Sequence, residues 1–320
     1  MHLLIPFAST SSDTSSDTSS DASAAAYTGL KLPNFQRLMQ RMQLQNSDLG
    51  DEYTQSPPHE RALAACYGLQ AADGCIPWAA LELAQKPRHG YASSQAWAHV
   101  TPCYWRVGVD NITLPDPSGL QLSDTDSKAL FATMQPYFHE DGISLHDDSA
   151  AHWFAHSTLF EGLGTASLDR VIGRNINLWM PEAPQAAPLR RLYNEMQMLL
   201  YTHPVNDARQ AAGLPPVNAF WVSGTGSLSV APNASDVRVI NTLRSPALNQ
   251  DWAAWAAAWQ SIDNTHIAEA LKHIDAGGTL SLTLCGERNA LRYESFQPSL
   301  FNQFTSLFSR RPLLNMREQL

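Results

Sequence analysis

Residues 203–226 read HPVNDARQAAGLPPVNAFWVSGTG, and no other segment says more about the fold class. Its second half predicts a buried strand over 218–222, because aromatic and β-branched residues follow a Pro-Pro break. That strand runs directly into Gly224-Thr225-Gly226. Just before the stretch, residues 188–201 carry Leu and Met at spacings of three and four, which predicts an amphipathic helix. Helices and strands that alternate in this way are typical of α/β proteins.

The same alternation extends outward on both sides. The apolar run at residues 3–7 suits an N-terminal strand, and a helical pattern opens at Pro33. Towards the C-terminus, strands are predicted over 237–240 and 279–284, with helical residues 252–274 between them. The sequence therefore predicts an α/β fold with a mostly parallel central sheet flanked by helices.

The length of 320 residues fits a single α/β domain over 1–320. Residues 9–26 are rich in Ser, Thr and Asp, and this composition predicts a flexible loop. The middle of the chain favours strands, so we expect an inserted subdomain over 87–185.

Charge and composition exclude several kinds of partner. The net charge is −9 and only 16% of the residues are charged, so the chain lacks the positive potential that binds nucleic acid or anionic lipid. No stretch approaches the roughly 18 apolar residues of a membrane span, and the first residues have no basic flank typical of a signal peptide. The four cysteines form no Cys-x-x-Cys pair. We therefore expect a cytoplasmic protein that binds neither nucleic acid nor membranes.

Common catalytic signatures are absent from the sequence, including G-x-S-x-G, G-x-x-x-x-G-K and H-E-x-x-H. Gly224, Thr225 and Gly226 follow a strand, so their backbone amides can approach an anion. A plain turn at the end of the strand is the alternative interpretation.

One histidine pair has the spacing of metal ligands. His152 and His156 would share one side of a helix, although the intervening Trp and Phe favour a strand. With His146, Asp147 and Asp148 nearby, this segment is the best source of a rearranged metal site.

A tryptophan stripe marks the helical region near the C-terminus. Trp252, Trp255 and Trp259 follow spacings of three and four. Such a stripe usually packs a helix on its own sheet, and a surface for a protein partner is the alternative interpretation.

Several segments resemble the archaeal-type cofactor-independent phosphoglycerate mutases. They are HPVNDAR at 203–209, GLPPVNA at 213–219, the Gly-Thr-Gly turn at 224–226, and weaker echoes in LPNF at 32–35 and LTLCGER at 282–288. The resemblance implies an alkaline-phosphatase-like core. In that family, two divalent metals held by Asp and His assist a Ser nucleophile that takes the phosphoryl group.

The sequence departs from that family where the metal ligands belong. The first strand, residues 3–8, contains no Asp, and the family's Gly-Asp-His reads Gly286-Glu287-Arg288. Arginine cannot ligate a metal, because its guanidinium stays protonated and offers no lone pair. We therefore expect no metal ligands, no cofactor and no catalytic residues. If a ligand site persists, we expect it at Gly224, Thr225 and Gly226 and at Glu287, Arg288 and Asn289, where strands end.

The chain also resembles the RpfE-type bacterial regulatory proteins over most of its length. The segments that carry this resemblance are SPPHERAL at 56–63, TPCYW at 101–105 and NEMQM at 194–198. The resemblance implies a regulatory role and brings no site residues.

These observations lead to one expectation and one alternative. The sequence predicts a phosphoglycerate-mutase-like protein without the two-metal ligand set. Such a protein would be a non-catalytic regulator that binds a small phosphorylated anion, or a protein partner through Trp252, Trp255 and Trp259. The alternative is an active phosphoglycerate mutase or metal-dependent phosphohydrolase with a rearranged site.

Overall fold

The computed structural model describes residues 1–9, 17–85, 95–233, 235–296 and 319–320. Its strands are β1 (His2–Ile5), β2 (Met42–Asp48), β3 (Trp97–Cys103), β4 (Arg106–Val107), β5 (Ile112–Thr113), β6 (Ser144–Ser149), β7 (His152–His156), β8 (Ala219–Gly226), β9 (Val237–Val239), β10 (Ser281–Cys285) and β11 (Ala290–Ser295). Its α-helices are α1 (Asp17–Thr28), α2 (Pro33–Met39), α3 (Pro58–Cys66), α4 (Trp78–Gln85), α5 (Asp124–Glu140), α6 (Leu168–Val171), α7 (Ala187–Tyr201), α8 (Pro204–Ala211), α9 (Arg244–Leu248), α10 (Trp252–Ile262) and α11 (Ala268–Asp275).

Two compact units make up the chain. The first consists of Met1–Tyr53, Pro57–Tyr67 and Asn233–Leu320, and the second of Thr54–Ser56 and Gly68–Pro232. The segment 87–185, for which the sequence predicts an inserted subdomain, falls within the second unit. Its own boundaries stay a prediction.

The first unit contains a mixed five-stranded sheet in the order β2-β11-β10-β1-β9. Strand β1 is parallel to β10 and to β9, whereas β11 is antiparallel to both β10 and β2. A mostly parallel sheet was therefore the wrong prediction. The physical reason lies in the tight turn at 286–289, where the Gly286 amide donates to the carbonyl of Asn289. Such a short connection can join only antiparallel neighbours.

The second unit contains a four-stranded sheet in the order β6-β7-β3-β8, and each of its strand pairs is antiparallel. Strands β4 and β5 form a separate short hairpin. The chain is thus an α/β protein with mixed and antiparallel sheets.

The core of the first unit contains the tryptophan stripe. Trp255 and Trp259 are fully buried, and Trp252 is partly buried at the edge of the same cluster. The ring of Trp255 stacks on Tyr27 at 6.0 Å, and that of Trp259 meets Phe35 edge-on at 5.7 Å. Burial of each large apolar side chain contributes about 1.5–3 kcal/mol. Two of the three rings proposed for a partner surface therefore belong to the core, and binding of a protein partner stays a prediction.

Helix α1 lies where the sequence predicted the end of a flexible loop. Residues 17–28 are helical, and residues 10–16 fall outside the described residues. Three consecutive alanines at 24–26 favour a helix, and Tyr27 docks on Trp255. This tertiary contact outweighs the low-complexity composition of the tract.

Two predicted helices are confirmed. The pattern at 188–201 forms α7, and α2 begins at Pro33 as predicted. Leu32 precedes α2 and has no capping side chain, so the buried carboxylate of Asp263 accepts hydrogen bonds from the amides of Asn34 (3.2 Å) and Phe35 (2.6 Å) instead. No helix in the described ranges combines the length and apolar composition that a membrane crossing requires.

The HPVNDAR segment forms α8 and fixes the entry to β8. The Asn206 side chain donates to the carbonyls of Leu200 and Val217, both at 2.8 Å, and accepts from the amide of Val217 at 2.8 Å. Arg209 is 2% exposed and donates to the carbonyl of Pro215 at 2.9 Å. The polar residues that carry the sequence resemblance therefore stabilise the fold in this chain.

Candidate functional site

Gly224, Thr225 and Gly226 form the buried end of β8 in the second unit. The Thr225 hydroxyl donates to the carbonyl of Leu163 at 2.5 Å and lies 3.1 Å from the hydroxyl of Thr165. The side chain of Thr225 is therefore engaged with its own unit.

The absence of side chains at the two glycines allows other residues to pack closely on this end of β8. Gly224 has φ of +63° and Gly226 of +131°, which are conformations that favour glycine. A Cβ at Gly224 would lie 3.0 Å from Cβ of Trp78 and 3.2 Å from Nδ1 of His99. The packing of α4 and β3 explains Gly224, and the segment before α4 crowds Gly226, where a Cβ would lie 3.3 Å from Cβ of Pro77. A role of the amides of these glycines in anion binding stays a prediction.

Glu287, Arg288 and Asn289 form the turn between β10 and β11, in the first unit. The Arg288 guanidinium lies 3.4 Å from the carboxylate of Glu52, and both side chains are exposed. The Asn289 side-chain oxygen accepts from the amide of Gly50 at 3.2 Å. The two groups of predicted ligand residues thus lie in different units, so neither unit alone contains the whole predicted set.

A second arginine lies close to this turn. Arg61 on α3 donates through Nε to Asp48 at 2.8 Å and through Nη2 to the carbonyl of Arg288 at 2.9 Å. Burial raises the pKa of the neighbouring Cys285 thiol far above its usual range, and Arg61 only partly offsets this effect. The thiol therefore stays protonated, whereas the guanidinium groups of Arg61 and Arg288 carry positive charge.

The end of β1 completes the same edge. The Ala8 amide donates to the carbonyl of Cys285 at 2.7 Å, and the Phe7 ring lies 5.1 Å from that of His59. Ser9 is buried at 7% exposure. A Cβ at Gly286 would lie 2.5 Å from its hydroxyl oxygen and 2.5 Å from the backbone oxygen of Leu320, so this glycine makes room for both residues.

A different cluster has the character of a metal centre. Oε2 of Glu82 lies 3.1 Å from Nε2 of His99 and 3.8 Å from Nε2 of His152. The ligand atoms of these three residues all lie within 4.8 Å of one another, and they form the one such group found in the described ranges. All three side chains are partly exposed and belong to the second unit.

Asp148 extends this cluster. Its Oδ2 lies 3.5 Å from Nδ1 of His152, and its side chain is only 9% exposed. Burial lowers the pKa of His152, and the neighbouring His99 lowers it further, against opposing effects of Glu82 and Asp148. The imidazole is therefore kept in the neutral form that metal ions bind.

The other residues of the predicted rearranged site do not join the cluster. The rings of His146 and His156 lie 5.2 Å and 5.3 Å from the ring of Trp97. Asp147 is exposed on β6. No sequence pattern points to Glu82 and His99, because they lie on a helix and a strand that are distant from His152 in the chain and form no short motif with it.

Comparisons with known proteins give only distant likenesses. No family model matches the chain, and no curated protein matches it. Among solved structures, the chain is similar to a cofactor-independent phosphoglycerate mutase from Thermoplasma acidophilum, with 14% identity, a TM-score of 0.37, and coverage of 98% of this chain and 94% of that one. It is also similar to the PH0037 protein from Pyrococcus horikoshii, with 13% identity, a TM-score of 0.45, and coverage of 92% and 87%.

Proposed function

We propose that this chain is a non-catalytic, phosphoglycerate-mutase-like protein that binds a small phosphorylated anion at the edge of the first unit's sheet. The observation that carries the proposal is the pair of guanidinium groups, Arg61 and Arg288, beside the carboxyl end of β10. Arginine side chains are well suited to phosphate, because their planar N–H groups bind two of its oxygens at once.

The same positions argue against two-metal phosphoryl transfer at this edge. In the family that the sequence resembles, the first strand and the late strand end in metal ligands. Here β1 leads into Pro6-Phe7-Ala8, and β10 leads into Gly286-Glu287-Arg288. Arg288 puts a fixed positive charge where a cation would have to bind. An anionic ligand there would compete with the carboxylates of Asp48 and Glu52 for the two guanidinium groups.

The proposed role is regulatory. The sequence resemblance to RpfE-type regulatory proteins supports it. In this proposal the guanidinium of Arg288 contacts Glu52 when the site is empty and the phosphate when the ligand is bound. The exposed contact with Glu52 therefore competes with the ligand. An exposed ion pair contributes only about 0–1 kcal/mol, so a phosphate can displace it.

Isothermal titration calorimetry on the full chain tests this proposal, with 3-phosphoglycerate and inorganic phosphate as probes. We expect stoichiometric binding that Arg288→Gln weakens at least tenfold. Arg292→Gln is the matched control, since Arg292 is also exposed and is paired with Glu294, two residues further along the same strand. Equal affinities of the wild type and Arg288→Gln would contradict the proposed site.

The alternative is a metal-dependent phosphohydrolase or mutase, and the cluster of Glu82, His99 and His152 favours it. Turnover of phosphomonoesters that requires added metal and is lost in His152→Gln would support this alternative. Absence of turnover in the metal-loaded wild type would leave the binding proposal in place.

A further inference from the structure

One face of the second unit's sheet brings two histidines together. On neighbouring antiparallel strands, His99 pairs with Phe154, and His152 lies two residues away from Phe154 along β7. Directly paired residues share a face, and so do residues two apart on one strand. The imidazoles of His99 and His152 therefore project from the same face, with ring centroids 4.6 Å apart.

Helix α4 covers this face and adds a carboxylate. Ala79, Ala80 and Leu83 are buried against Trp97 and Phe154 of the sheet. Glu82 lies on the same side of the helix, three residues after Ala79. Apolar packing on both sides of Glu82 thus holds its carboxylate over the two imidazoles.

We propose that Glu82, His99 and His152 bind one divalent metal ion of the zinc class. Zinc bonds to histidine nitrogen and carboxylate oxygen of about 2.0–2.1 Å, at tetrahedral angles, require ligand atoms about 3.3 Å apart. The Glu82 oxygen lies 3.1 Å and 3.8 Å from the two imidazole nitrogens. The three ligand atoms all lie within 4.8 Å of one another, so side-chain rotations can bring them onto one ion.

Two further observations point to a ligand at this place. Nε2 of His99 is buried, yet it has no aligned hydrogen-bond partner among the described residues. On the far side of His152, Asp148 lies 3.5 Å from Nδ1. A carboxylate at that nitrogen holds the N–H there and directs the lone pair of Nε2 towards the ion, as in many zinc sites.

The ligand types select the class of ion. Two imidazoles with one carboxylate suit Zn²⁺, Co²⁺ and Ni²⁺, whereas Mg²⁺ and Ca²⁺ prefer oxygen ligands throughout. The exposed fractions of Glu82 (36%) and His152 (27%) leave the fourth coordination position open to solvent. This site lies in the second unit and is independent of the proposed anion site, which lies in the first.

Zinc titration of the chelator-treated full chain, in competition with a chromogenic chelator, tests the proposal. We expect one equivalent of Zn²⁺, an affinity at least 100-fold lower in His99→Gln and His152→Gln, and a 10- to 100-fold loss in Asp148→Asn. His146→Gln and His156→Gln are matched controls on the same sheet, and we expect their affinities to stay within about threefold of the wild type. Unchanged zinc affinity in both His99→Gln and His152→Gln would overturn the proposal.

X-ray absorption of the zinc-loaded wild type gives a second test that does not depend on the folding of any variant. We expect the zinc ion to have two imidazole ligands, and we expect its remaining ligands to be oxygen atoms. A sulfur ligand, or fewer than two imidazoles, would overturn the assignment. A folded wild type that binds no zinc in the titration would also overturn it. None of these results bears on phosphate binding at Arg288, so failure of this site and failure of the proposed function are distinguishable.

Discussion

Glu82 Oε2 lies 3.1 Å from Nε2 of His99, although the two residues belong to a helix and a strand that share no local motif. An ion that binds here stabilises the folded chain, because the unfolded chain does not bring the three ligands together. At a free concentration 100 times the dissociation constant, we expect a gain of about 2.7 kcal/mol in the free energy of unfolding. Chemical denaturation with and without Zn²⁺ measures this gain. It should disappear in His152→Gln, and an equal gain in that variant would point to zinc bound elsewhere.

Gly224 has a steric role beside this cluster. We expect Gly224→Ala to destabilise the chain, because a methyl group would press on Trp78 and His99 and the backbone has positive φ. Gly213→Ala is the matched control, since Gly213 has φ of +73° and no atom lies within 4 Å of the place that its methyl group would take. The control should lose about 1–2 kcal/mol from the backbone alone, and Gly224→Ala about 1–3 kcal/mol more from crowding. Equal losses in denaturant unfolding would remove the crowding argument.

Asn206 should be important for stability. Asn206→Ala would leave the carbonyl of Leu200 and both backbone polar groups of Val217 without the bonds that the side chain makes. At about 1 kcal/mol for each lost hydrogen bond, we expect a loss near 3 kcal/mol. Asn249→Ala, at an exposed position, should change stability by no more than about 0.5 kcal/mol. Comparable midpoints for the two variants in urea would contradict this role.

Acid should destabilise the first unit through His2. Burial, and next the charge of Arg292, lower the pKa of His2 to about 4, whereas the unfolded chain has the ordinary value of 6.5. Between these values the unfolded state binds a proton that the folded state does not, so the free energy of unfolding falls as pH drops from 6.5 to 4. His2→Gln removes this contribution. Relative to the wild type, the variant should therefore be more stable at about pH 5 than at about pH 8, and a pH-independent difference would refute the assignment.

Local patterns in the sequence predicted several elements correctly. The leucine spacing of α7 and the proline at the start of α2 are short-range signals, and the structure contains both helices. Strand direction is a long-range property, so the turn at Gly286–Asn289 that makes β11 antiparallel to β10 was not recognised. Three alanines favour helix α1 locally, but its contact between Tyr27 and Trp255 joins residues that are far apart in the chain, so no local pattern reveals it.

The candidate sites also divide into residues that short-range sequence signals indicate and residues that only long-range contacts bring together. The sequence makes Arg288 a candidate, because it replaces a residue in a recognisable motif, and its part in a ligand site stays a prediction. The sequence also drew attention to His152 and Asp148, through their closeness in the chain. Glu82 and His99 could not be found in this way, because only the pairing of β3 with β7 and the packing of α4 bring them to His152.

The most direct test of the proposed function is a ³¹P NMR spectrum of 3-phosphoglycerate mixed with the full chain and Mg²⁺ or Zn²⁺. One sample reports both binding, as a shift or broadening of the phosphate resonance, and turnover, as a new resonance. We expect a perturbed 3-phosphoglycerate signal, with no resonance of 2-phosphoglycerate or inorganic phosphate after long incubation. Growth of either resonance, abolished by a chelator, would contradict the central claim that this chain binds a phosphorylated ligand without catalysis.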